Sequence, residues 1–390
     1  MLDSIHVGMT GLLGYSRGLR VIANNTANLN TPGFKASTLQ FTDLAYGGSG
    51  GDGATRLGHG LGTAGTTLDW RQGELRQTGH DFDLGLEGEG FFVLRNEQGE
   101  QRYTRAGQFD FDESGTFVSR TDGSTVRGRD ASGAEVDISL AGLRVTAGKA
   151  TGTVRFTGNL SSTATDQAVQ SVKVHDSLGQ EHQLTARFTR PAGAAPDTWT
   201  VELLEGTTSV GTTQLVFEDG RPRTQDAKPS FNWQPRGRDA QALVLDFSSD
   251  VTSFASGNLS TLAVASQDGH APGTLSKVAF DGAGRLSLTY TNGREVEGPQ
   301  LLLARFGAAD GVRPLGGNLF AAVEGQSWTT GVAGEGAFGA VRSGRLEVSN
   351  VDLSREFSEL VVMQRGYQAS SQVIGTANDM LQELFGMKRS

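Results

Sequence analysis

The feature that most constrains the fold of this chain is a pair of apolar stripes, one at each end of its 390 residues. Apolar or small residues recur at alternating steps of three and four over 2–26 and 357–385, the spacing expected of helices that pair. The larger apolar members of these two stripes are Leu2, Ile5, Met9, Leu12, Leu19, Phe357, Leu360, Tyr367, Ile374, Leu381 and Phe385. We therefore predict that the two ends form paired helices, which makes everything between them an insertion.

Each predicted helix is weak by itself. Polar residues such as Ser16 and Gln364 interrupt the stripes, and each glycine in a helix costs roughly 1 kcal/mol relative to alanine. The glycines of the first helix are Gly8, Gly11, Gly14 and Gly18, and they allow an adjacent helix to approach closely. Ser349, followed three residues later by Asp352, predicts an N-terminal cap for the second helix. We expect helices that are marginal alone and become ordered when neighbours cover them.

The middle of the chain has the pattern of β-structure. Alternation over 81–96 and turn signals over 96–133 predict antiparallel hairpins, and a second set of hairpins is predicted over 171–247. The predicted fold class is mainly β, with nested antiparallel β domains inserted between paired N- and C-terminal α-helices that resemble a coiled coil. The predicted domains are a helical core (1–35 and 350–390), an extended connector (36–70), an inner β domain (71–145 and 277–349) and an outer β domain (146–276).

Composition excludes several classes of function. The chain has no Cys, so it carries no disulfide, thiolate nucleophile or cysteine-ligated metal. A net charge of −9 without a basic run argues against nucleic-acid binding. The apolar runs at 301–304 and 360–363 are far shorter than a membrane span. The N-terminal stretch is a poor cleaved signal peptide, which predicts a cytoplasmic chain unless a route that needs no such signal exports it.

Glycine-rich and acidic motifs give weak signals. Stretches 48–53, 60–65 and 334–339 fit G-x-G-x-x-G, but none follows a convincing strand and opens a helix, as dinucleotide binding requires. Asp110 and Asp112 begin like a calcium-binding loop, yet Thr121 occupies the position that needs Glu, which favours a hairpin turn.

A histidine cluster and two pairs of aspartates can each be interpreted either as structural residues or as a chemical site. His175, Glu181 and His182 can face one another across a hairpin and bind a metal, although surface histidine pairs are common without one. The pairs Asp81/Asp83 and Asp110/Asp112 suit acid–base catalysis, but solvent-facing strands produce the same spacing. We favour the structural interpretation of both and predict no catalytic residue, cofactor or metal, and no enzymatic activity.

The strongest local signal follows the first stripe, in IANNTANLNTPGFK (22–35). Asn28 or Asn30 can end the helix, because asparagine favours capping and left-handed conformations. Thr31-Pro32-Gly33 suits a type II turn, in which Pro supplies the first φ and Gly the positive φ that follows. Residue chemistry alone favours a well-made helix stop over a functional motif.

This segment resembles the signature of the bacterial flagellar rod and hook proteins. The similarity continues in the same order through 81–94, 103–123 and 349–374. The residues that carry the signature are Ala23, Asn24, Asn25, Ala27, Asn28, Thr31, Pro32, Gly33, Phe34 and Lys35. Segment 146–276 is similar to the additional outer domain of the hook members, so the resemblance favours a hook subunit.

The resemblance implies a structural protein that assembles with copies of itself into a curved, flexible tube, which passes torque from rod to filament and encloses the export channel. Its implied partners are a rod protein at the base, a hook cap during assembly, a hook–filament junction protein at the tip and the flagellar type III export apparatus. It also implies an extracellular hook joined to the basal body and export without a cleaved signal peptide. We expect no nucleic acid and no membrane insertion.

Two alternatives stay open on the residues alone. A distal rod protein belongs to the same class and predicts a straight, rigid polymer. An exported β-rich hydrolase predicts a pocket around one carboxylate pair, but gives the terminal stripes no role.

Overall fold

A computed structural model describes residues 2–44, 46–47, 57–190, 193, 195, 197–307, 311–326 and 328–387. The glycine-rich match at 48–53 lies outside these residues. The chain divides into two compact units. The first comprises Met1–Ala141, Val278–Ser287 and Glu297–Ser390, and the second comprises Gly142–Lys277 and Leu288–Val296.

Both predicted terminal helices are present and pack together, which confirms the predicted fold class. Helix α1 spans Leu2–Ala27 and helix α2 spans Leu353–Met387. The cap of α2 differs from the prediction, because Asp352 Oδ1 accepts from the backbone N–H groups of Ser354 (2.9 Å) and Arg355 (3.2 Å). Asp352 carries its acceptor immediately before the first helical residue, whereas Ser349 lies too far upstream. In the described part of the chain, neither helix has the length and apolarity to cross a bilayer.

The remainder of both units is β-structure. The strands of the N-terminal part are β1 (Ser37–Asp43), β2 (Tyr46–Gly47), β3 (Leu57–Gly58), β4 (Leu61–Leu68), β5 (Leu75–Gln77), β6 (Leu84–Glu87), β7 (Phe91–Arg95), β8 (Gln101–Thr104), β9 (Phe109–Phe111), β10 (Phe117–Ser119), β11 (Thr125–Arg129) and β12 (Glu135–Asp137). Those of the central part are β13 (Val145–Thr146), β14 (Thr153–Asn159), β15 (Asp166–His175), β16 (Glu181–Thr189), β17 (Thr198–Glu205), β18 (Thr208–Glu218), β19 (Arg221–Pro222), β20 (Ser230–Trp233), β21 (Gln241–Thr252) and β22 (Ala263–Gln267). Those of the C-terminal part are β23 (Gly273–Phe280), β24 (Arg285–Tyr290), β25 (Glu295–Phe306), β26 (Val312–Gly316), β27 (Leu319–Ala322), β28 (Trp328–Val332), β29 (Ala340–Ser343) and β30 (Arg345–Glu347).

The β part of the first unit contains a sheet with strand order β25-β11-β7-β8-β27-β26. Its core is aromatic, with Phe91, Tyr103 and Phe320 buried together. Two short pairs, β5 with β30 and β6 with β29, join residues near 80 to residues near 345. These pairs bring the segment before α2 back to the segment that follows α1, so that both helices leave the same part of the unit.

The second unit contains two sheets, β20-β21-β14-β22 and β15-β16-β17-β18-β19. Alternate residues of β16 and β17 point inward, as the period of two in their sequence predicts. Buried side chains from both sheets, including Phe188, Trp199 and Trp233, form one hydrophobic cluster.

The segment predicted to be an extended connector, 36–70, contains a β-hairpin. Strands β1 and β4 within it pair antiparallel, from Ser37 opposite Leu68 to Asp43 opposite Leu61. The hairpin also packs on α1, where a Cβ at Gly14 would lie 2.8 Å from the Leu61 side chain. Its glycine content resembled a linker, and the residues that pair are 18 to 31 positions apart in the chain.

Candidate assembly site

Helices α1 and α2 meet through glycines. A Cβ at Gly11 would lie 2.6 Å from the Ser370 hydroxyl, and one at Gly18 would lie 2.9 Å from the Met363 sulfur. The contact is reciprocal, because Gly366 of α2 faces the ring of Tyr15. Chain numbers rise along α1 as they fall along α2, so the helices are antiparallel and closer than larger residues permit.

Part of the predicted apolar stripes lies in this seam, because a Cβ at Gly8 would lie 2.7 Å from the Ile374 side chain. Ile5, Leu12 and Leu19 of α1 and Leu360, Ile374 and Leu381 of α2 are only half-buried. The most exposed members are Met9 (49%), Phe357 (55%), Tyr367 (42%) and Phe385 (68%), while the side chain of Leu2 lies outside the described residues. The α1 side of the seam is its glycine face, because glycine lets the two backbones approach each other. Several large apolar side chains therefore remain uncovered.

A polar contact closes the seam at the end of α1. The Asn25 amide Nδ2 donates to Glu356 Oε1 (3.0 Å) and to the Ser37 carbonyl (2.8 Å), and its Oδ1 accepts from the Ser37 N–H (3.0 Å). Glu356 is only 6% exposed, and its second oxygen has no hydrogen-bond partner among the described residues. Burial raises the pKa of the Glu356 carboxyl, and the hydrogen bond from Asn25 opposes that shift.

The predicted turn after α1 is confirmed. The Phe34 N–H donates to the Thr31 carbonyl (3.2 Å), and Gly33 has a φ of 70°, as a type II turn requires. The turn is held from two sides, because the Asn318 amide donates to the Pro32 carbonyl (2.7 Å) and the Gly33 N–H donates to the Glu347 carbonyl (2.7 Å).

Lys35, the last residue of the signature, enters a buried ionic cluster. Its ammonium lies 2.6 Å from Glu347 Oε1, and Arg105 donates to Glu347 Oε2 at 3.2 Å. Burial lowers the pKa values of both Lys35 and Arg105, and the Glu347 carboxylate opposes each shift. One carboxylate thus joins the start of the β domain, strand β30 and the loop after β8. Glu347 and Arg105 were not predicted, although Arg105 lies within segment 103–123 and Glu347 lies two residues before segment 349–374, both of which carried the resemblance.

The other signature residues have simpler surroundings. Asn28 directly follows α1, where its amide donates to the Asn24 carbonyl (2.9 Å) and its Oδ1 accepts from the Thr31 hydroxyl (3.0 Å). Ala23, Asn24 and Ala27 are exposed on the last turns of α1.

The acidic candidates have structural surroundings. Asp112 forms the predicted hairpin turn between β9 and β10, accepting from the Thr116 N–H (2.8 Å). Asp83 is buried and pairs with Arg120.

The histidine candidates do not converge. His182 lies between Asp176 (3.5 Å) and Glu205 (3.3 Å), whereas Glu181 pairs with Lys173. Among the residues that the structure describes, no group of three or more His, Asp or Glu side chains is arranged to hold a metal ion.

Four family models match the two ends and the centre of the chain. They are "Flagella basal body rod protein" at 5–35, "Flagellar hook protein FlgE/F/G D1 domain" at 85–162, "Flagellar basal body protein FlaE D2 domain" at 146–270 and "Flagellar basal body rod FlgEFG protein C-terminal" at 342–387. Their order defines an axial protein of the flagellum, with helical ends around β domains.

Whole-length relatives agree with this order. The flagellar hook protein FlgE of Salmonella typhimurium LT2 is 29% identical over 99% of this chain and 100% of its own length, and FlgE of Treponema pallidum is 28% identical over 100% of both. The crystal structure of Helicobacter pylori flagellar hook protein FlgE2 shares the fold, with a TM-score of 0.56 and 14% identity over 70% of this chain and 100% of that one. The chain belongs to the family of bacterial flagellar hook and rod proteins.

Proposed function

We propose that this chain is the structural subunit of a bacterial flagellar hook, assembling with copies of itself into a curved, flexible tube. The tube transmits torque from rod to filament and encloses the export channel. The matches to hook proteins along the whole chain support this function, and the match of an outer-domain model at 146–270 favours a hook subunit over a distal rod protein.

The observation that carries the proposal is the unequal use of the two faces of the helix pair. The glycine face of α1 is already covered by α2 of the same chain, where Gly11 meets Ser370 and Gly18 meets Met363. Large apolar side chains such as Phe357 and Phe385 remain exposed on α2. An exposed apolar face of this kind marks a site of association, and a second copy of the helix pair presents the same chemistry. The predicted helix residues are therefore proposed as subunit contacts, and the predicted domains as the helical core around the channel with β domains outside it.

The finer assignments follow from family membership. The proposed partners besides further copies are a rod protein, a hook cap, a hook–filament junction protein and the type III export apparatus, with export that needs no cleaved signal. The chain is proposed to have no enzymatic activity. Its carboxylate candidates are used in an ion pair and a turn, as Asp83 and Asp112 show.

Truncation and point variants test the proposal. The intact chain is expected to polymerise into tubes, whereas a chain lacking 1–30 and 355–390 is expected to remain monomeric. Phe357→Ser with Phe385→Ser is expected to raise the critical concentration, measured by sedimentation, by about tenfold, because two exposed apolar contacts are lost. Gln372→Ser with Gln382→Ser on the same helix is the matched control and is expected to polymerise normally. Tubes formed by the truncated chain would contradict the proposal.

A further inference from the structure

Helix α1 and the β1–β4 hairpin border an open cleft of about 450 Å³ in the first unit. Its walls carry Arg17 and Arg20, together with the apolar side chains of Val21 and Leu39. Arg17 is held toward the hairpin by a 2.6 Å hydrogen bond to the Thr63 hydroxyl. Neither arginine has a carboxylate partner among the described residues, so the cleft presents two unneutralised cations beside an apolar wall.

The last turns of α2 have the complementary chemistry. Glu359 pairs with Arg355 and Glu356 is buried against Asn25, which leaves Asp379 and Glu383 as the carboxylates of α2 without a described partner. Their spacing of four residues places them on one face of the helix. Met380 and Leu384, the residues that follow them, are both 50% exposed.

Within one chain these groups cannot meet. Gly11 faces Ser370 and Gly18 faces Met363, so Arg17 and Arg20 lie level with Gln364 and Val361 of α2. At 1.5 Å per helical residue, Glu383 lies about 28 Å beyond Gln364, and Asp379 lies about 27 Å beyond Val361. Those separations exceed the reach of a side chain.

We propose that the cleft between α1 and the β1–β4 hairpin binds the last turns of α2 from a second copy of this chain, with Arg17 pairing with Glu383 and Arg20 pairing with Asp379. Met380 and Leu384 then pack toward Val21 and Leu39. One displacement of the second copy, by about 28 Å along the helix axis, satisfies both pairs. The inference rests on the proposed function and specifies which surfaces of two subunits meet.

Charge reversal tests the pairing. Arg17→Glu with Arg20→Glu, and separately Asp379→Lys with Glu383→Lys, are each expected to raise the critical concentration of polymerisation about tenfold or more, because opposite charges are replaced by like ones. The fourfold variant restores opposite signs at every contact and is expected to polymerise nearly like the parent chain. The fourfold variant still carries Arg17→Glu, so a misfolded cleft would prevent it from polymerising. If it polymerises, the defect of the Arg17→Glu with Arg20→Glu variant came from the lost contact between subunits. The effect of each reversal is expected to shrink in high salt.

The control is Arg236→Glu with Lys277→Glu, which changes net charge as much as the cleft reversal does and is expected to polymerise normally. The pairing would be overturned if this control polymerised poorly, or if the fourfold variant did not regain polymerisation. If polymerisation is weakened by reversing Arg17 and Arg20 but not by reversing Asp379 and Glu383, the cleft binds another occupant and the pairing is overturned. If the parent chain forms no tubes, the proposed function and this inference are both overturned. If the parent chain forms tubes and the charge-reversal variants polymerise as well as it does, only this inference is overturned.

Discussion

At the scale of single residues, Gly33 combines a left-handed backbone with close backbone packing. Its φ is 70°, and an added Cβ would lie 2.5 Å from the Ala106 nitrogen and 2.8 Å from the Arg105 carbonyl carbon. Both contacts are to backbone atoms, which cannot rotate away as a side chain can. The signature therefore needs glycine here for space as well as for conformation.

Gly33→Ala is expected to lower the free energy of unfolding of the first unit by about 2–4 kcal/mol, since backbone strain and a backbone clash add. Urea unfolding followed by hydrogen exchange over residues 28–40 measures it. Gly123→Ala is the matched control, because Gly123 has a φ of 72° and nothing within 4 Å of an added Cβ. Its expected cost is the strain alone, about 1–2 kcal/mol. Equal losses in both variants would contradict the packing argument.

Glu356 is the residue whose titration acts directly on the helix pair. Its pKa is raised from an ordinary value of 4.5 by burial, so the folded chain holds this proton more tightly than the unfolded chain does. Asn25 faces it from α1, and Asp352, Arg355 and Glu359 lie near it on its own segment. The stability that this group contributes is complete below pH 4.5 and is lost as pH rises through the folded pKa.

We therefore expect Glu356→Gln to be more stable than the parent chain at pH 7, with a difference that disappears below about pH 4.5. Thermal unfolding of both chains from pH 4 to pH 8, followed by the helix signal in circular dichroism, checks this. Glu359→Gln, on the exposed ion pair with Arg355, is the control and should show a much smaller dependence. If the parent chain were more stable than Glu356→Gln at pH 7, the prediction would be contradicted, because the charged Glu356 carboxylate would then stabilise the fold.

Residue-level sequence reasoning succeeded where the cause was local. The turn at Thr31-Pro32-Gly33 follows from the φ preferences of Pro and Gly within four residues. The Lys35–Glu347 ion pair was not predictable in the same way, because 312 residues separate its members and only the fold brings them together.

At the scale of elements, the helices were predicted and their contact face was not. The spacing of apolar residues located α1 and α2 because period alone identifies an amphipathic helix. It does not say which face meets the partner within the chain, and here the glycine face does so. The glycines at 8, 11 and 18 also follow steps of three and seven, which is the signal that indicated close approach. The β1–β4 hairpin was missed because β4 lacks apolar alternation.

Gly18→Leu is expected to force α1 and α2 apart, since even a Cβ would lie 2.9 Å from the Met363 sulfur. Overpacking of this kind costs about 1–3 kcal/mol, so we expect less helix in circular dichroism and a higher critical concentration. Gly375→Leu on α2 is the matched control. Nothing lies within 4 Å of its added Cβ, and its helix is expected to gain about 0.5–1 kcal/mol of stability in the monomer. A monomer that loses no helix with Gly18→Leu would show that the glycine contact does not order the ends.

At the scale of the whole molecule, the insertion of the β domains between the two helices follows from the pairing of the chain's ends. Once α1 and α2 are antiparallel, all the β-structure lies between them in the chain, as the sequence predicted. The limits of the β domains depend on contacts between distant strands, and the predicted domain boundaries stay a prediction. The absence of Cys removes disulfides, which would hinder the proposed export of an unfolded chain through a channel.

Electron microscopy of the polymer formed by the purified chain tests the central claim most directly. We predict a curved tube with a central channel, lined by the terminal helices, with the last turns of α2 from one copy seated against the α1 cleft of another. A straight, rigid tube would instead identify a rod subunit. A chain that stays monomeric at high concentration, with its apolar helix faces exposed, would contradict the account.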